Sequence, residues 1–470
     1  MERTIFDMPQ AAVSVLCRET IRAHESWRHS IGHGGINRYP LPPRVQRGLA
    51  ALKPRLVRTF IQEYFNVCPA YGVYDWSLLD PYMDALAASG GKVVACICIK
   101  PPVLYPQVDQ YVIMPNDIGE WQRLIEAMVR RYSTEKGIVT HWEIANESDI
   151  GENGGCPYFT KTPAEYNEYY RITAEAILRV DPTLKIGGAA LADAYSPILE
   201  GLLQCCAENN MRLDFVSWHR YTDSPADLLA CIRHTKALLA KYYGEAIPEI
   251  LITELSKSFG KIVTEESAFD PARAAIMADI LFAMLDEGVD YSFYYHIWDQ
   301  TFVADHFRPF YEDLSIMLIH WNETPHRFGM FGVCGEVRPV YFAYKMLEML
   351  GQDELSAVSD APDVLVKAGT DGGTVNTMLI NRNTDAPRDM VSVLRYEGLT
   401  PGIKLMTVYR IDKDKHWDEK TLDLLAVERR YVDIIGDFRT NVLCPADTVT
   451  FVRLADSSLA DMERDFAQTE

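Results

Sequence analysis

The nine residues His141–Asp149, with the sequence HWEIANESD, decide how this chain folds. They belong to an apolar run that begins at Ile138, is typical of a buried strand, and stops abruptly at the polar pair Asn146-Glu147. A second apolar run, Glu249–Thr253, stops in the same way at Glu254. Two acidic residues at the ends of two buried strands predict a parallel sheet that presents both carboxylates at one edge.

Short apolar runs alternate with amphipathic helices from about residue 25 to residue 350. This alternation is the βαβα pattern of a parallel sheet, and the number of strand candidates is the eight that a (β/α)8 TIM barrel needs. Helix-start signals separate them, for example in Thr162–Glu165, which places Thr at the N-cap, Pro at the first helical position and Glu at the third. The strand candidates are Ser26–Ile31, Leu56–Gln62, Lys92–Ile99, Ile138–Ala145, Leu184–Ala189, Asp214–Trp218, Glu249–Thr253 and Tyr291–Ile297.

The pattern of the sequence changes after Gly351, where short apolar runs alternate with Gly- and Asp-rich turn clusters. We therefore predict a catalytic barrel domain over residues 18–350 and a C-terminal antiparallel β-sandwich over residues 351–456. Residues 1–17 contain a strand-like Thr4-Ile5-Phe6 that could pair into the sandwich. The charged residues 457–470 are predicted to form a frayed tail.

Composition limits the classes of function. The 470 residues are 48% hydrophobic and 24% charged, and the formal net charge is −20, which disfavours nucleic acid and anionic membranes as partners. The ten cysteines show no zinc or disulfide spacing, and no uncharged stretch approaches about 18 apolar residues. The N-terminal residues lack the apolar core of a secretory signal, so we expect a cytoplasmic protein, although a chain with its signal removed would look the same. No pattern indicates the oligomeric state.

The polar residues predicted at the C-terminal ends of the strands form one candidate site, because the active sites of such barrels lie there. Two opposed carboxylates are the minimum equipment for hydrolysing a glycosidic bond. Arginine keeps a nucleophilic carboxylate ionised, histidine or tyrosine orients it, asparagine bonds a sugar hydroxyl, and tryptophan offers a flat surface to a sugar ring. The candidates are Arg58, Asn146, Glu147, His219, Tyr221, Glu254 and Trp298, together with His33 from the Gly-rich turn after the first strand. Glu143 lies within its strand and is predicted instead to pair with a buried base inside the barrel.

Other chemistries remain open from the residues alone. His24, His29 and His33 cluster near the first strand, but no carboxylate or cysteine spacing supports a metal site, and we expect no metal or cofactor. A barrel lyase or aldolase would need a lysine at a strand end, where Lys100 is the best placed. No Gly-rich phosphate loop or Gly-x-Ser-x-Gly motif is present. A catalytically inactive barrel that only binds carbohydrate is a further alternative.

These motifs resemble those of the clan A glycoside hydrolases, and most closely of glycoside hydrolase family 39, the β-xylosidase and α-L-iduronidase group. The clan's acid/base follows an asparagine at a strand end, as Glu147 does in Trp142–Glu147, and its nucleophile ends a later strand, as Glu254 does in Ile252–Glu254. The family's His-x-Tyr is similar to His219–Tyr221, and its arginine-bearing second strand is similar to Val57–Phe60. The resemblance covers most of the chain.

The resemblance implies a retaining double displacement in which Glu254 is the nucleophile and Glu147 is the acid/base. We then expect the two carboxyl groups to lie about 5–5.5 Å apart. The expected partner is an oligosaccharide or glycoside substrate. Abundant loop aromatics and the acidic net charge favour an uncharged, β-xyloside-like pyranoside over a uronate, but no motif names the sugar.

Overall fold

The computed structural model describes residues 8–23, 29–244, 246–259, 264–383 and 386–467. The chain divides into two compact units. One is built on a barrel and comprises residues 29–264 and 287–336. The other unit is built on a large sheet. It comprises the described residues before 29, residues 265–286 and the described residues after 336.

The elements are numbered in chain order. The strands are β1 (Gln10–Ala23), β2 (His29–Gly32), β3 (Leu56–Gln62), β4 (Lys92–Cys98), β5 (Val139–Ile144), β6 (Lys185–Leu191), β7 (Phe215–Tyr221), β8 (Glu249–Ser256), β9 (Tyr291–Tyr295), β10 (Asp353–Ser359), β11 (Val364–Thr370), β12 (Thr374–Asn381), β13 (Met390–Glu397), β14 (Gly402–Ile411), β15 (Trp417–Asp418), β16 (Asp423–Leu424), β17 (Ala426–Ile434), β18 (Phe438–Cys444) and β19 (Thr448–Asp456). The α-helices are α1 (Pro43–Ala51), α2 (Leu79–Ala87), α3 (Ile118–Val129), α4 (Pro163–Val180), α5 (Pro197–Glu208), α6 (Pro225–Tyr242), α7 (Glu265–Ala268), α8 (Pro271–Glu287), α9 (Ser315–Leu318), α10 (Pro339–Met349) and α11 (Leu459–Ala467). Short 3-10 turns cover Glu63–Phe65, Gly151–Gly154 and Ala304–His306, and π-helical turns cover Arg130–Glu135 and Ile319–Glu323.

The eight strands β2–β9 form a closed parallel barrel, as the sequence pattern predicts. Pairing of β2 with β9, for example of Ile31 with Tyr294, closes the ring. Bulky side chains from several strands fill the interior as a cluster of buried residues, as expected of a packed barrel core rather than a pore. The cluster contains Leu56, Val94, Phe215, Leu251 and Phe293.

Three barrel strands, β6, β7 and β8, run further than the sequence pattern predicts, and β6 continues to Leu191. The strands β7 and β8 continue through Tyr221 and Ser256, because parallel pairing continues from His219 opposite Glu254 to Tyr221 opposite Ser256. His219, Tyr221 and Glu254 are therefore held within the ladder rather than in the loops after it. The first predicted strand, Ser26–Ile31, begins outside the described residues, and β2 starts at His29.

The second unit contains a nine-stranded sheet in the order β17-β14-β19-β12-β11-β10-β1-β13-β18. Its pairs are antiparallel except for β1 with β13. All nine strands contribute apolar side chains to one core cluster. Ile434 ends β17 and Phe438 begins β18, so two strands at opposite ends of the pairing order are joined by a three-residue turn. The sheet must fold back on itself to allow this, as the two layers of a sandwich do.

The N-terminal boundary differs from the prediction. The predicted barrel domain starts at residue 18, whereas β1 runs to Ala23 inside the nine-stranded sheet, between β10 and β13. The strand-like Thr4-Ile5-Phe6 lies outside the described residues. A boundary at residue 18 fails because the ladder continues, with Thr20, Arg22 and Ala23 paired to β10.

The C-terminal residues also differ from the predicted frayed tail, because most of them form α11. Ser458 precedes the helix, and its hydroxyl accepts a hydrogen bond from the Asp461 backbone N–H at 3.1 Å. Asp465 in the helix accepts hydrogen bonds from Tyr431 and Arg429 of β17. The cap and these contacts explain the order of this charged segment. Among the described residues, no helix combines the length and the apolar character that crossing a bilayer requires.

The predicted start of α4 is present in full: the Thr162 side chain accepts from the Glu165 backbone N–H, and Glu165 accepts from the Thr162 backbone in return. Thr162→Ala should therefore lower stability by about 1 kcal/mol, because an orphan N–H loses its acceptor. In thermal unfolding this corresponds to a midpoint about 2 °C lower for the transition that reports the barrel. Thr162→Ser keeps the hydroxyl and should unfold within a few tenths of a degree of wild type. Equal midpoints for the Ala and Ser variants would mean that the cap contributes nothing.

Candidate active site

Six of the predicted site residues converge at the C-terminal ends of the barrel strands. Arg58 lies in β3, Asn146 and Glu147 follow β5, and Glu254 lies in β8. His219 and Tyr221 both lie in β7 and point to the same side, as alternate residues of a strand do. The strand ends therefore bring together one guanidinium, two carboxyl groups, an amide, an imidazole and a phenol.

Arg58 is the centre of this group. Its guanidinium donates from Nε to Glu143 at 2.6 Å, from Nη1 to Glu254 Oε1 at 2.8 Å and from Nη2 to Asn146 Oδ1 at 2.7 Å. Only 1% of the side chain is exposed, so each of these bonds is made out of contact with water. Glu143 is thus paired with a buried base inside the barrel, as its position within β5 predicts. The arginine fixes the nucleophile candidate and the asparagine in one frame.

A sharp backbone turn aims Asn146 and Glu147 at this group. Ala145 and Glu147 both have left-handed backbone conformations, with φ of 66° and 42°. The backbone N–H of Glu147 donates to the Ala190 carbonyl at the end of β6, at 2.7 Å, which anchors the turn to the neighbouring strand. Left-handed conformations at residues other than glycine cost energy and cluster at functional sites. The small side chain of Ala145 keeps that cost low.

The two candidate carboxyl groups have different partners. Oε1 of Glu147 lies 2.7 Å from Nδ1 of His219, and the same nitrogen is 3.6 Å from Oε2 of Glu254. The Tyr221 hydroxyl donates a hydrogen bond to that Oε2. Tyr221 therefore orients Glu254, as predicted for one of the pair, whereas His219 lies closer to Glu147.

The electrostatic environment separates the two acids. Burial raises the pKa of Glu147 well above its usual range, and the nearby charge of Glu254 raises it further. Burial also raises the pKa of Glu254, but the charge of Arg58 and the hydrogen bonds from Tyr221 and Arg58 oppose that rise. Burial and the charge of Arg58 hold the pKa of His219 well below its ordinary value, so its imidazole is neutral. The arrangement therefore raises the pKa of Glu147 more than that of Glu254, so Glu147 is the acid that keeps its proton to higher pH.

Both carboxyl groups open into a cavity of about 380 Å³. One part of its wall is aromatic, from Phe60, Phe259, Tyr295 and Trp321. The polar part includes residues that the strand-end argument did not identify: Gln62, Asn153, Arg220, His320 and His326. A mainly apolar wall with a few convergent polar groups is the usual form of a small-molecule site.

Arg58 and His219 lie behind the residues that line this cavity, whereas two other predicted residues belong neither to its wall nor to the hydrogen-bonded group around Arg58. Trp298 donates from its indole N–H to the Val333 carbonyl at 3.3 Å, and the indole in the cavity wall is that of Trp321. Trp321 lies in a π-helical turn after β9, so no strand-end signal marks it. His33 is buried against Tyr82, with ring centroids 5.5 Å apart, and burial lowers its pKa to about 3. It is thus a neutral core residue.

The alternatives to two-carboxylate chemistry find little support among the described residues. The Nζ of Lys100 donates to the Asp109 carbonyl, and the side chain does not line the cavity. His29 contacts the Leu52 carbonyl, and His24 lies outside the described residues. Potential metal ligands converge in the described part of the chain at Glu147, His219 and Glu254, whose ligand atoms lie within 4.8 Å of one another. A cation held there would occupy the two acids themselves.

The chain is similar in sequence to a known family and to two curated proteins. The family model of the glycosyl hydrolases family 39 matches residues 61–421. A β-xylosidase from Geobacillus stearothermophilus is 28% identical over 269 residues, which are 52% of this chain and 48% of that protein. A β-xylosidase from Caldicellulosiruptor saccharolyticus is 34% identical over 119 residues, 24% of this chain and 22% of that protein. The matched region thus spans about half or less of these curated relatives.

Solved structures share the fold at low identity. A family 39 enzyme from Xanthomonas axonopodis pv. citri superposes with a TM-score of 0.75 at 18% identity, covering 97% of this chain and 100% of that one. A monomeric β-xylosidase from Caulobacter crescentus CB15 gives 0.73 at 20% identity, covering 95% and 99%. The family model matches well over half of the residues, and the chain belongs to the glycosyl hydrolases family 39.

Proposed function

We propose that this protein is a retaining glycoside hydrolase that cleaves the glycosidic bond of a neutral, β-xyloside-like pyranoside by double displacement. The observation that carries the proposal is the approach of the two acids: ligand oxygens of Glu147 and Glu254 lie within 4.8 Å and line one cavity. Retaining pairs are about 5–5.5 Å apart, whereas inverting pairs are about 6.5–9.5 Å apart to admit a water. The family, and the names of the β-xylosidase relatives, agree with it.

In the first step Glu254 attacks the anomeric carbon while Glu147 gives its proton to the departing oxygen. The glycosidic bond breaks, and a glycosyl ester forms on Glu254. In the second step Glu147, now ionised, takes a proton from water, and the resulting hydroxide oxygen displaces Glu254 from the sugar. Two inversions give net retention. Esterification removes the charge of Glu254, so the pKa of Glu147 falls when it must act as a base.

The residues around the acids support these roles. Arg58 and Tyr221 hold two different oxygens of Glu254, which stabilises the carboxylate and restricts its rotation. Neutral His219 holds one oxygen of Glu147 and leaves the other for proton transfer. Asn146 accepts a hydrogen bond from Arg58 on its Oδ1, and in this proposal its NH2 group bonds a sugar hydroxyl beside the reacting carbon.

The charges in the cavity favour a neutral sugar over a uronate. Arg220 is the one basic side chain, lysine or arginine, among the described residues that line the cavity. Its Nε donates a hydrogen bond to Asp227 at 2.8 Å. Arg58 is occupied by Glu143, Glu254 and Asn146. A substrate carboxylate would thus add a negative charge beside two acids, while both nearby guanidinium groups are already paired.

The nucleophile assignment predicts the outcome of one substitution. Glu254→Ala should lower kcat by more than about 1,000-fold, because no covalent intermediate can form. Azide should restore turnover and give a glycosyl azide of inverted configuration, observable by proton NMR. Glu249→Ala, at the other end of β8, should retain near wild-type activity. Full activity in Glu254→Ala would refute both the assignment and the proposed mechanism, and an inactive wild-type protein would favour a carbohydrate-binding role.

The pKa order predicts a bell-shaped dependence of kcat/KM on pH. The rate should rise as Glu254 loses its proton and fall as Glu147 loses its own. Since burial and the charge of Glu254 raise the pKa of Glu147, the falling limb should lie well above the usual range of a carboxylic acid. Glu147→Gln should remove that limb and should slow substrates with poor leaving groups most. A falling limb that persists unchanged in Glu147→Gln would assign it to another group.

The charge argument predicts substrate preference. Aryl β-xyloside, β-glucoside, β-galactoside and α-arabinoside should include at least one substrate whose kcat/KM exceeds that of aryl β-glucuronide and α-iduronide by about 100-fold or more. NMR of the first-formed anomer should show retention. Faster hydrolysis of a uronide than of every neutral glycoside would contradict the charge argument but leave the two-carboxylate mechanism intact.

A further inference from the structure

A short loop, Gly151–Gly155, presses directly on the candidate acid/base. A Cβ atom on Gly154 would lie only 2.1 Å from Oε2 and 2.8 Å from Cβ of Glu147, so the backbone there approaches the carboxyl group more closely than any side chain would allow. The other oxygen of Glu147 faces His219. The loop therefore packs beside Oε2, while Glu147 and Gly154 both still line the cavity.

Glu152 fastens this loop to a distant segment. Its carboxylate, in a residue that is 5% exposed, accepts the backbone N–H of Glu312 on Oε1 at 2.8 Å and that of Asp313 on Oε2 at 2.9 Å. The hydroxyl of Tyr311 donates to the Gly155 carbonyl at 2.9 Å. Three hydrogen bonds thus tie the two ends of a five-residue loop to residues 311–313.

The loop is also tied to the base of the turn that carries Glu147. The backbone N–H groups of Ile150 and Gly151 donate to the Glu147 carbonyl at 3.0 and 2.9 Å. The Glu152 N–H donates to the side-chain oxygen of Gln110. The backbone of Glu147 and the loop are therefore linked, and the contacts to residues 311–313 help to fix where the loop lies against the Glu147 side chain.

We propose that Glu152 is a positioning residue for the reaction: by fastening the loop to residues 311–313, it holds the Gly154 backbone against Glu147. This role rests on the proposed function, since it presumes that Glu147 is the acid/base. No hydrogen bond of Glu152 reaches the reacting groups, so it acts through the loop. Its buried carboxylate is explained by the two N–H donors that it accepts.

We call the three hydrogen bonds from Glu152 and Tyr311, which tie the loop to residues 311–313, the clamp. The clamp has a chemical consequence at Glu147. Burial is the main cause of the raised pKa of Glu147, and the Gly154 backbone supplies part of that burial. The charged or titratable groups that face Glu147 are Glu254, Asp149, Arg58, His219, Cys156, Tyr221 and Tyr295. Cys156 directly follows the loop, and none of the others belongs to the loop or to residues 311–313. Releasing the loop should therefore admit water to Oε2 and make Glu147 a stronger acid.

The test uses Glu152→Gln, which is nearly isosteric but replaces one acceptor oxygen with an NH2 group that faces an N–H donor. We expect kcat/KM for an aryl glycoside with a poor leaving group, such as 4-methylphenol, to fall about 10- to 100-fold, as small misplacements of reacting groups do. The loss should be several-fold smaller for 2,4-dinitrophenol, which leaves without a proton. The falling limb of the pH profile should move to lower pH. Tyr311→Phe should change all three quantities in the same direction and less.

Matched controls separate the clamp from charge and from folding. Glu312→Gln removes a negative charge beside Glu152 but leaves both acceptor oxygens of Glu152 and the backbone N–H of residue 312 in place. This variant should behave as wild type. Gly154→Ala should reduce kcat/KM severely, whereas Gly244→Ala, where a Cβ would meet nothing within 4 Å, should not. The midpoint of thermal unfolding of each variant shows whether it folds.

The proposal is overturned if folded Glu152→Gln and Tyr311→Phe keep the pH profile and the leaving-group dependence of wild type. It is also overturned if Glu152→Gln slows both leaving groups equally with an unchanged falling limb, which is the result of a merely structural role. Failure of the proposed function would appear differently, as a wild-type protein that hydrolyses no glycoside.

Discussion

The buried guanidinium of Arg58 is the constraint on which the candidate site depends. A charge that is withdrawn from water must find partners on every side, and Arg58 finds them on two other strands: Glu143 with Asn146 from β5 and its end, and Glu254 from β8. These bonds cross the barrel, so they set the separation of the strand ends as well as the orientation of the side chains. Removing the arginine would leave two acids buried without their cation.

The same burial that makes Arg58 costly makes Glu147 useful. A carboxyl group beside water would be ionised at neutral pH and could not donate a proton. Glu147 is enclosed by His219 on one side and by Gly154 on the other, and it faces the negative charge of Glu254. Each feature favours its neutral form. Glu254 is equally buried but has a cation and a phenol as partners, which favour its ionised form. The pKa of Glu147 is thereby raised more than that of Glu254.

The sequence predicts the parts of this arrangement that strand periodicity controls. Eight apolar runs predict the barrel, and the polar residues in or directly after these runs predict Arg58, Glu147 and Glu254 at one face, because the ends of parallel strands meet there. It does not predict which indole lines the cavity. The sequence predicts Trp298 because this residue follows the last strand, but the indole of Trp298 donates to the Val333 carbonyl, while Trp321 reaches the cavity from a turn without periodicity.

The sequence does not predict the loop contacts either, because loops carry no periodic pattern. Glu152 is an unremarkable acid in a Gly-rich stretch, and its partners are the backbone N–H groups of Glu312 and Asp313, which carry no side-chain signature. The assignment of β1 to the second unit depends likewise on pairing with β10 and β13, more than 300 residues later in the chain. Hydrophobic pattern reports which face of an element is buried, but not which distant backbone covers it.

Five buried glutamates show how far partners, rather than residue type, determine a role. Glu143 faces a guanidinium and completes the core of the barrel; Glu152 accepts two backbone N–H groups and fixes a loop. Among the described residues neither oxygen of Glu63 has a hydrogen-bond partner, and burial raises its pKa to about 8, so it stays largely neutral near pH 7. Only Glu147 and Glu254 combine burial with access to the cavity and with each other's charge. Proton transfer to a leaving group needs both conditions, because a fully enclosed acid cannot reach the substrate and a fully solvated one has already lost its proton.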